Sequence, residues 1–132
     1  MNREDVLSGV RNALAAALDI EPGRIRLEDR IIGDLGADSL DLLDLVFHLE
    51  QRFKVRIAGR EIERRVREKL GGAPLEAEGV YTPAAVAGLR AALPDIPAEE
   101  LHEGLTVADL PRAFRVSTMV NLVCKLLEEK GG

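Results

Sequence analysis

The sequence is poor in cysteine and in aromatic residues. Cys124 is the single cysteine among 132 residues, so the chain cannot form an internal disulfide, and a reducing cytosol is the compartment expected for it. Tryptophan is absent and aromatic residues amount to 3%, whereas hydrophobic residues make up 46% of the chain. The core must therefore be built from Leu, Val, Ile and Ala, a composition that favours packed helices over a sheet.

The sequence also lacks the features of membrane and exported proteins. It contains no apolar run of about 18 residues, so a membrane-spanning helix is not expected. Its first ten residues, MNREDVLSGV, do not show the basic and then apolar arrangement of a secretion signal. We therefore expect a cytoplasmic protein without a membrane span, and a monomer.

Charge is distributed unevenly along the chain. The net charge is −5, and the stretch from Glu28 to Glu50 carries seven acidic residues against Arg30 alone. That stretch accounts for −6, so the remainder of the chain is close to neutral, at +1. A negative surface repels nucleic acid and attracts basic protein surfaces, so a protein partner is expected and nucleic acid is not.

Helical periodicity dominates the chain. Apolar residues recur at helical spacing in five segments, which predicts an all-α fold for residues 1–132 as a single domain. The stretch KVRIA at residues 54–58 could pass for a short strand, but it has no evident partner. The predicted helices begin near Asn2, Asp38, Arg60, Thr82 and Ser117.

The predicted helix over residues 38–53 has apolar residues on two sides. At 100° per residue, Leu40 and Phe47 point almost opposite to the core-facing side, and Leu43 lies at the margin. Apolar residues on an otherwise acidic outer surface favour a docking surface for a partner. The residues expected to face the core are Leu42, Leu45, Val46, Leu49 and Phe53.

Ser39 lies at the start of this helix. Asp38 is well placed as the N-cap, with Asp41 three residues later, so Ser39 is the first helical residue and is not needed as the cap. Its hydroxyl would project from a helix start whose free N–H groups favour anionic groups. Gly36 allows the preceding loop to turn tightly. This position suits the attachment of a phosphate ester.

Residues 34–53, DLGADSLDLLDLVFHLEQRF, resemble the prosthetic-group site of the acyl carrier proteins, whose core motif is D-S-L within L-G-x-D-S-L. The similarity covers residues 3–57 and resumes at residues 97–110. The resemblance implies an acyl-carrier-like helical bundle with a core at residues 3–57 and 97–130 and a helical insertion at about residues 58–96. The matching residues are Asp34, Leu35, Gly36, Asp38, Ser39, Leu40 and Asp41.

The resemblance also implies a function. Ser39 is then the attachment point of 4′-phosphopantetheine, which a phosphopantetheinyl transferase takes from coenzyme A. The thiol of that arm carries acyl groups as thioesters, and the chain itself is not an enzyme. The acidic helix is expected to dock on basic patches of acyl-ACP-synthesising enzymes, ketosynthases and acyltransferases. The expected docking residues are Asp38, Leu40, Asp41, Asp44, Phe47 and Glu50.

Two further regions concern the acyl cargo. The insertion is locally basic between Arg60 and Lys69. It could extend the bundle over a longer acyl group, serve one dedicated enzyme, fold against the acidic helix, or only pack its own apolar residues. The segment FRVSTMVNLVCKLLEEK at residues 114–130 resembles the end of specialised carriers for lipid A and other very-long-chain acyl transfers. That resemblance implies lipid biosynthesis, with lipopolysaccharide acylation as a specific pathway.

Other functions fit the sequence less well. A serine hydrolase would show G-x-S-x-G, which is absent, and His48 and His102 lie in no motif. The aspartates of residues 34–44 do not follow the alternating spacing of an EF-hand loop, so no metal site is expected. Cys124 lies in an apolar helix, which indicates a buried side chain and not a nucleophile. Two alternatives stay open: a peptidyl, aminoacyl or polyketide carrier, and a carrier-like interaction protein without a prosthetic group.

Overall fold

The computed structural model describes residues 2–57 and 61–131 of the chain. Helices dominate these ranges, and the one sheet found in them is a two-stranded hairpin, so the predicted all-α fold is confirmed. No helix in these ranges is long and apolar enough to cross a membrane. The α-helices and strands are α1 (Arg3–Leu18), α2 (Ser39–Phe53), α3 (Glu61–Lys69), β1 (Glu76–Ala77), β2 (Val80–Tyr81), α4 (Pro83–Ala92) and α5 (Val116–Gly131), and three short 3-10 helices lie in the described connections.

The chain divides into two compact units. Unit 1 comprises Met1–Ala58 and Phe114–Gly132, and unit 2 comprises Gly59–Ala113. In unit 1, α1 packs against α2 and α5, whereas in unit 2, α3 packs against α4. Unit 2 begins next to the predicted start of the insertion, and it also includes residues 97–113, which the sequence assigns to the carrier core. The extent of the insertion relative to that core stays a prediction.

Helix α1 begins where the sequence predicts it, in a reciprocal cap between Asn2 and Asp5. The N–H of Asp5 donates to Asn2 Oδ1 (2.9 Å), and the N–H of Asn2 donates to Asp5 Oδ2 (3.2 Å). The helix packs closely on the last turn of α2, because a Cβ at Gly9 would lie only 2.4 Å from Phe53 Cζ. Glycine at this crossing therefore sets the distance between the two helices.

The connection between α1 and α2 is attached to the start of α5. Ile25 and Ile31 in this connection are buried, so it lies on the helices and does not form a free linker. Three backbone hydrogen bonds join the two segments, and they fix the loop that leads to α2. They run from Ile31 N to Phe114 O, from Val116 N to Asp29 O and from Ser117 N to Leu27 O, with lengths of 3.1, 3.0 and 2.9 Å.

Unit 2 has a core of its own. Its two helices meet at Gly88, where a Cβ would lie 2.7 Å from Val66 Cγ1. The hydroxyl of Tyr81 donates to Oε1 of Glu63 (2.7 Å), and both side chains are buried. The buried apolar residues of the unit are Ile62, Val66, Leu75, Tyr81, Ala85, Val86, Leu89, Leu93, Ile96, Leu101, Leu105, Leu110 and Ala113.

The hairpin of unit 2 is not foreseen in the sequence. Its turn residues, Glu78 and Gly79, both have positive φ (52° and 80°), as tight two-residue hairpin turns require. The strands have two residues each, and Glu-Gly is not the Asn-Gly or Asp-Gly signal that marks such turns. Residues 54–57 form no strand, and Arg60, expected to begin α3, lies outside the described residues.

Glu61, in the first turn of α3, accepts from two arginines. Its side chain is 11% exposed and pairs with Arg64 and with Arg65, whose Nε lies 3.1 Å from Glu61 Oε1. The hydrogen bond from Arg64, followed by the charges of both arginines, holds the pKa of Glu61 below its ordinary value of 4.5, although burial acts in the opposite direction. A lowered folded-state pKa means that the ionised carboxylate stabilises the fold above the unfolded pKa, and that this contribution is lost as pH falls through the folded value.

We expect Glu61→Gln to lower the free energy of unfolding at pH 7 by up to about 1 kcal/mol. The difference from the parent chain should shrink as pH falls below 4.5. Urea unfolding followed by circular dichroism at several pH values measures both effects. Glu99→Gln, at an exposed position of the same unit, is the control and should show neither. A loss that stays constant down to about pH 3 would contradict this account.

Candidate functional site

Ser39 is the first residue of α2, and its side chain is exposed. The helix is capped by its neighbours: the N–H of Asp41 donates to Asp38 Oδ1 (2.9 Å), and the N–H of Asp38 donates to Asp41 Oδ2 (3.0 Å). Within the described part of the chain, the hydroxyl of Ser39 makes no hydrogen bond. The serine oxygen is therefore accessible and has no role in starting the helix.

The loop before Ser39 is closed by its own hydrogen bonds. Asp34 Oδ2 accepts from the N–H of Arg30 (2.9 Å), and the N–H of Ala37 donates to the carbonyl of Ile31 (3.3 Å). Gly36 has a φ of 78°, which an L side chain rarely adopts, and a Cβ there would meet nothing within 4 Å. The loop thus holds the start of α2 in place and leaves open space beside it.

This arrangement fits an attached phosphate group. The hydroxyl is exposed, the approach at Gly36 is open, and the first-turn N–H groups of an α-helix have no acceptors within the helix. The capping carboxylates of Asp38 and Asp41 add negative charge close by, so the helix start is not an anion site by charge alone. A covalent bond through the serine oxygen would hold the group at this position.

Three large apolar side chains are exposed on α2. Leu40 is 73% exposed, Leu43 is 63% exposed and Phe47 is 55% exposed. Their spacing of three and four residues places them in one row along the helix, called here the apolar stripe. The outward positions of Leu40 and Phe47 agree with the helical-wheel prediction. Leu43, predicted at the margin, belongs to the stripe. Its position three residues after Leu40 and four before Phe47 is the sequence signal for this placement.

The acidic residues of α2 differ in what they do. Asp38 and Asp41 each use one carboxylate oxygen in the helix cap. Asp44 is exposed, and no hydrogen bond or ion pair involves it in residues 2–57 and 61–131. Glu50 is half-buried, and its Oε2 accepts from the N–H of Ile57 (2.8 Å), which fixes the chain as it leaves α2. Glu50 therefore has a structural role, and its docking role stays a prediction.

A groove of about 610 Å³ lies at the opposite end of α2. It is lined by Asp5, Ser8, Arg52 and Phe53. Since α2 rises about 1.5 Å per residue, Phe53 lies about 20 Å along the helix from Ser39. The groove is thus remote from the serine and forms no part of the site.

The remaining chemistry-bearing residues lie away from Ser39 or at the surface. His48 and His102 are exposed, and Cys124, which the sequence predicts to be buried, is only half-buried. In the described part of the chain, no three His, Cys, Asp or Glu side chains are grouped as a metal ion would require.

Comparison with known proteins bears on this site. Residues 8–68 match a family model described as a phosphopantetheine attachment site. The chain is 44% identical over 61 residues to the acyl carrier protein of Campylobacter concisus, which covers 46% of this chain and 79% of that protein. It is 36% identical over 63 residues to the acyl carrier protein of Thermotoga maritima, which covers 48% of this chain and 78% of that protein. No solved structure shows a significant match.

The relatives are much shorter than this chain. Sixty-one residues that make up 79% of the Campylobacter concisus protein correspond to a length of about 77 residues. Unit 1, with 58 residues before its break and 19 after it, also has 77 residues. The matched residues 8–68 begin in unit 1 and end within α3 of unit 2.

The contact between Glu50 and Ile57 leads to a prediction about stability. We expect Glu50→Ala to lower the free energy of unfolding by roughly 1–2 kcal/mol, because a charge-assisted hydrogen bond to a backbone N–H is lost. Asp44→Ala, on the same helix but without such a bond, should change it by less than about 0.5 kcal/mol. Urea unfolding of both variants measures the difference. Equal losses would show that the bond does not stabilise the fold.

Proposed function

Since the chain belongs to the acyl carrier protein family, whose members carry covalently attached 4′-phosphopantetheine, we propose that Ser39 is the residue modified in this protein. A phosphopantetheinyl transferase would supply the group from coenzyme A. The Ser39 oxygen would form the new bond to phosphorus and lose its proton, and the 3′,5′-ADP part of coenzyme A would leave. Once attached, the group supplies a thiol that holds acyl cargo as a thioester.

The single observation that supports this proposal most strongly is the exposed hydroxyl of Ser39. The cap formed by Asp38 and Asp41 leaves that oxygen without a structural task. The hydrogen-bonded loop of residues 30–37 restricts the motion of the helix start, so a transferase would meet the serine in one position. The chain's part in the reaction is to present this oxygen, and we assign it no catalytic step of its own.

The apolar stripe is proposed to contact partner enzymes. Leu40, Leu43 and Phe47 together offer a row of exposed apolar surface that is lost from water on docking. Asp38, Asp41 and Asp44 place negative charge on one side of the stripe, which attracts Arg and Lys side chains of the partner. Because exposed charges are screened over about 10 Å at 0.1 M salt, the association rate should depend on salt. The partners expected are the transferase, ketosynthases and acyltransferases.

For the cargo we propose fatty acyl groups used in lipid biosynthesis. Membership of the family supports acyl transport, and the acidity around Ser39 favours enzymes with basic docking patches. The resemblance of residues 114–130 to lipid A carriers makes lipopolysaccharide acylation the specific pathway to test. Mass analysis of the native acylated protein separates this from a peptidyl, aminoacyl or polyketide carrier, since each cargo adds a different mass.

Replacement of Ser39 tests the attachment site. With coenzyme A and a phosphopantetheinyl transferase, the parent chain should gain the mass of one phosphopantetheine group. Ser39→Ala should stay at its bare mass with unchanged helix content, because the cap does not use the serine. Ser8→Ala, at another exposed serine of unit 1, is the matched control and should be modified normally. Modification of Ser39→Ala, or a parent chain that stays unmodified, would refute the assignment.

Replacement within the apolar stripe tests the docking surface. We expect Leu43→Ala and Phe47→Ala each to lower kcat/KM of the transferase by about tenfold, through lost apolar contact of roughly 1–2 kcal/mol. Because both side chains are exposed, thermal stability should hardly change. His48→Ala, exposed on the same helix outside the stripe, should leave kcat/KM within about twofold of the parent value. Normal kinetics for both stripe variants would exclude this surface from docking on the transferase.

A further inference from the structure

The carboxylate of Asp34 closes a backbone turn in the loop before Ser39. Its Oδ2 accepts from the N–H of Arg30 (2.9 Å), and the carbonyl of Arg30 in turn accepts from the N–H of Leu35 (3.2 Å). No other hydrogen bond or ion pair involves the Asp34 side chain in residues 2–57 and 61–131. Asp34 therefore acts within the structure on the backbone and not on another charged side chain.

The closed turn orients Ile31, the residue through which the loop is attached. Ile31 is fully buried and follows Arg30 directly. Its N–H donates to the carbonyl of Phe114 (3.1 Å), and its carbonyl accepts from the N–H of Ala37 (3.3 Å). Ala37 is buried and lies two residues before Ser39. A change of the backbone at Arg30 would thus reach the start of α2 through Ile31 and Ala37.

Two glycines on either side of Asp34 make the turn depend on this bond. Gly33 and Gly36 have φ values of 112° and 78°, and a Cβ at either position would meet nothing within 4 Å. Packing therefore does not restrain these two positions, and glycine has the widest conformational freedom of any residue. Hydrogen bonds across the turn must supply the restraint, and the bond from Arg30 to Asp34 is the one made by a side chain.

We propose that Asp34 is a positioning residue for the modification of Ser39, and that it acts through its hydrogen bond to the Arg30 N–H and not through its charge. This role rests on the proposed function, because it requires Ser39 to be the modified residue. With the turn closed, the serine oxygen keeps one position relative to a docked transferase. With the turn open, the start of α2 would sample several positions, and fewer bound complexes would react.

The proposed role makes a specific demand on the kinetics. The apolar stripe lies along α2 after Ser39, so opening the turn leaves the proposed docking residues on the helix in place. Binding of the transferase should therefore be kept while the bound complex reacts more slowly. Loss of the Asp34 bond should lower kcat and leave KM nearly unchanged.

Two replacements of Asp34 separate the hydrogen bond from the charge. Asp34→Ala removes both, whereas Asp34→Asn removes the charge and keeps a carbonyl oxygen that can accept from the Arg30 N–H. Glu28→Gln is the matched control for charge. Glu28 is exposed in the same connection, and its side chain makes no hydrogen bond or ion pair within the described part of the chain.

We expect Asp34→Ala to lower kcat of a phosphopantetheinyl transferase, with coenzyme A and the full chain as substrates, by about five- to tenfold, with KM within about twofold of the parent value. Asp34→Asn and Glu28→Gln should keep kcat within about twofold. Amide hydrogen exchange followed by NMR gives a second readout. Exchange of the Arg30 amide should be about fivefold faster in Asp34→Ala and close to the parent rate in Asp34→Asn, with α1 and α2 unchanged in both.

Four results would overturn the proposal. The first is a parent value of kcat for Asp34→Ala, and the second is an Asp34→Asn variant as slow as Asp34→Ala, which would assign the effect to charge. The third is a rise in KM at unchanged kcat, which would place Asp34 in docking. The fourth is faster exchange throughout α1 and α2 in Asp34→Ala, which would give the residue a general part in folding.

Failure of the proposed function would look different. A parent chain that the transferase never modifies would refute the assignment of Ser39. The exchange rates of the Arg30 amide in Asp34→Ala and Asp34→Asn would still show whether the hydrogen bond closes the turn.

Discussion

The reciprocal cap between Asp38 and Asp41 is the interaction on which the site depends. A serine at the N-cap would accept a backbone hydrogen bond, and attaching a group to its oxygen would disturb the start of the helix. Here two carboxylates satisfy the backbone at that point, and Ser39 follows them with an unused hydroxyl. The helix start can therefore keep its structure whether or not the serine is substituted. The helix that begins at this cap presents the row of Leu40, Leu43 and Phe47 to solvent.

The features that the sequence predicted correctly are local ones. The caps at Asn2 and Asp38, the helical spacing of apolar residues and the outward direction of Leu40 and Phe47 depend on residues within one or two turns, so they can be read from the chain. The family followed from the D-S-L motif and its surroundings in the same way, and the comparisons confirm it.

The features that the sequence did not reveal depend on tertiary structure. The hairpin at residues 76–81 has strands too short for a period-2 pattern, and its partner near Thr106 is distant in the chain. From the sequence, Glu50 is grouped with the exposed docking residues. Its hydrogen bond to Ile57 could not be predicted, because it forms only after the chain turns at the end of α2. The grouping of residues 97–113 with unit 2 likewise depends on packing that no local pattern records.

The apolar stripe has a consequence for the behaviour of many copies at once. Exposed rows of large apolar side chains tend to associate with one another. A carrier that formed aggregates through such a row could no longer bind its enzymes there. The stretch from Glu28 to Glu50, which includes the loop before α2, bears a charge of −6, so this region of two copies repels on approach. The aspartates beside the stripe thus oppose the pairing of two copies through their apolar side chains, and they would not repel a partner of positive charge.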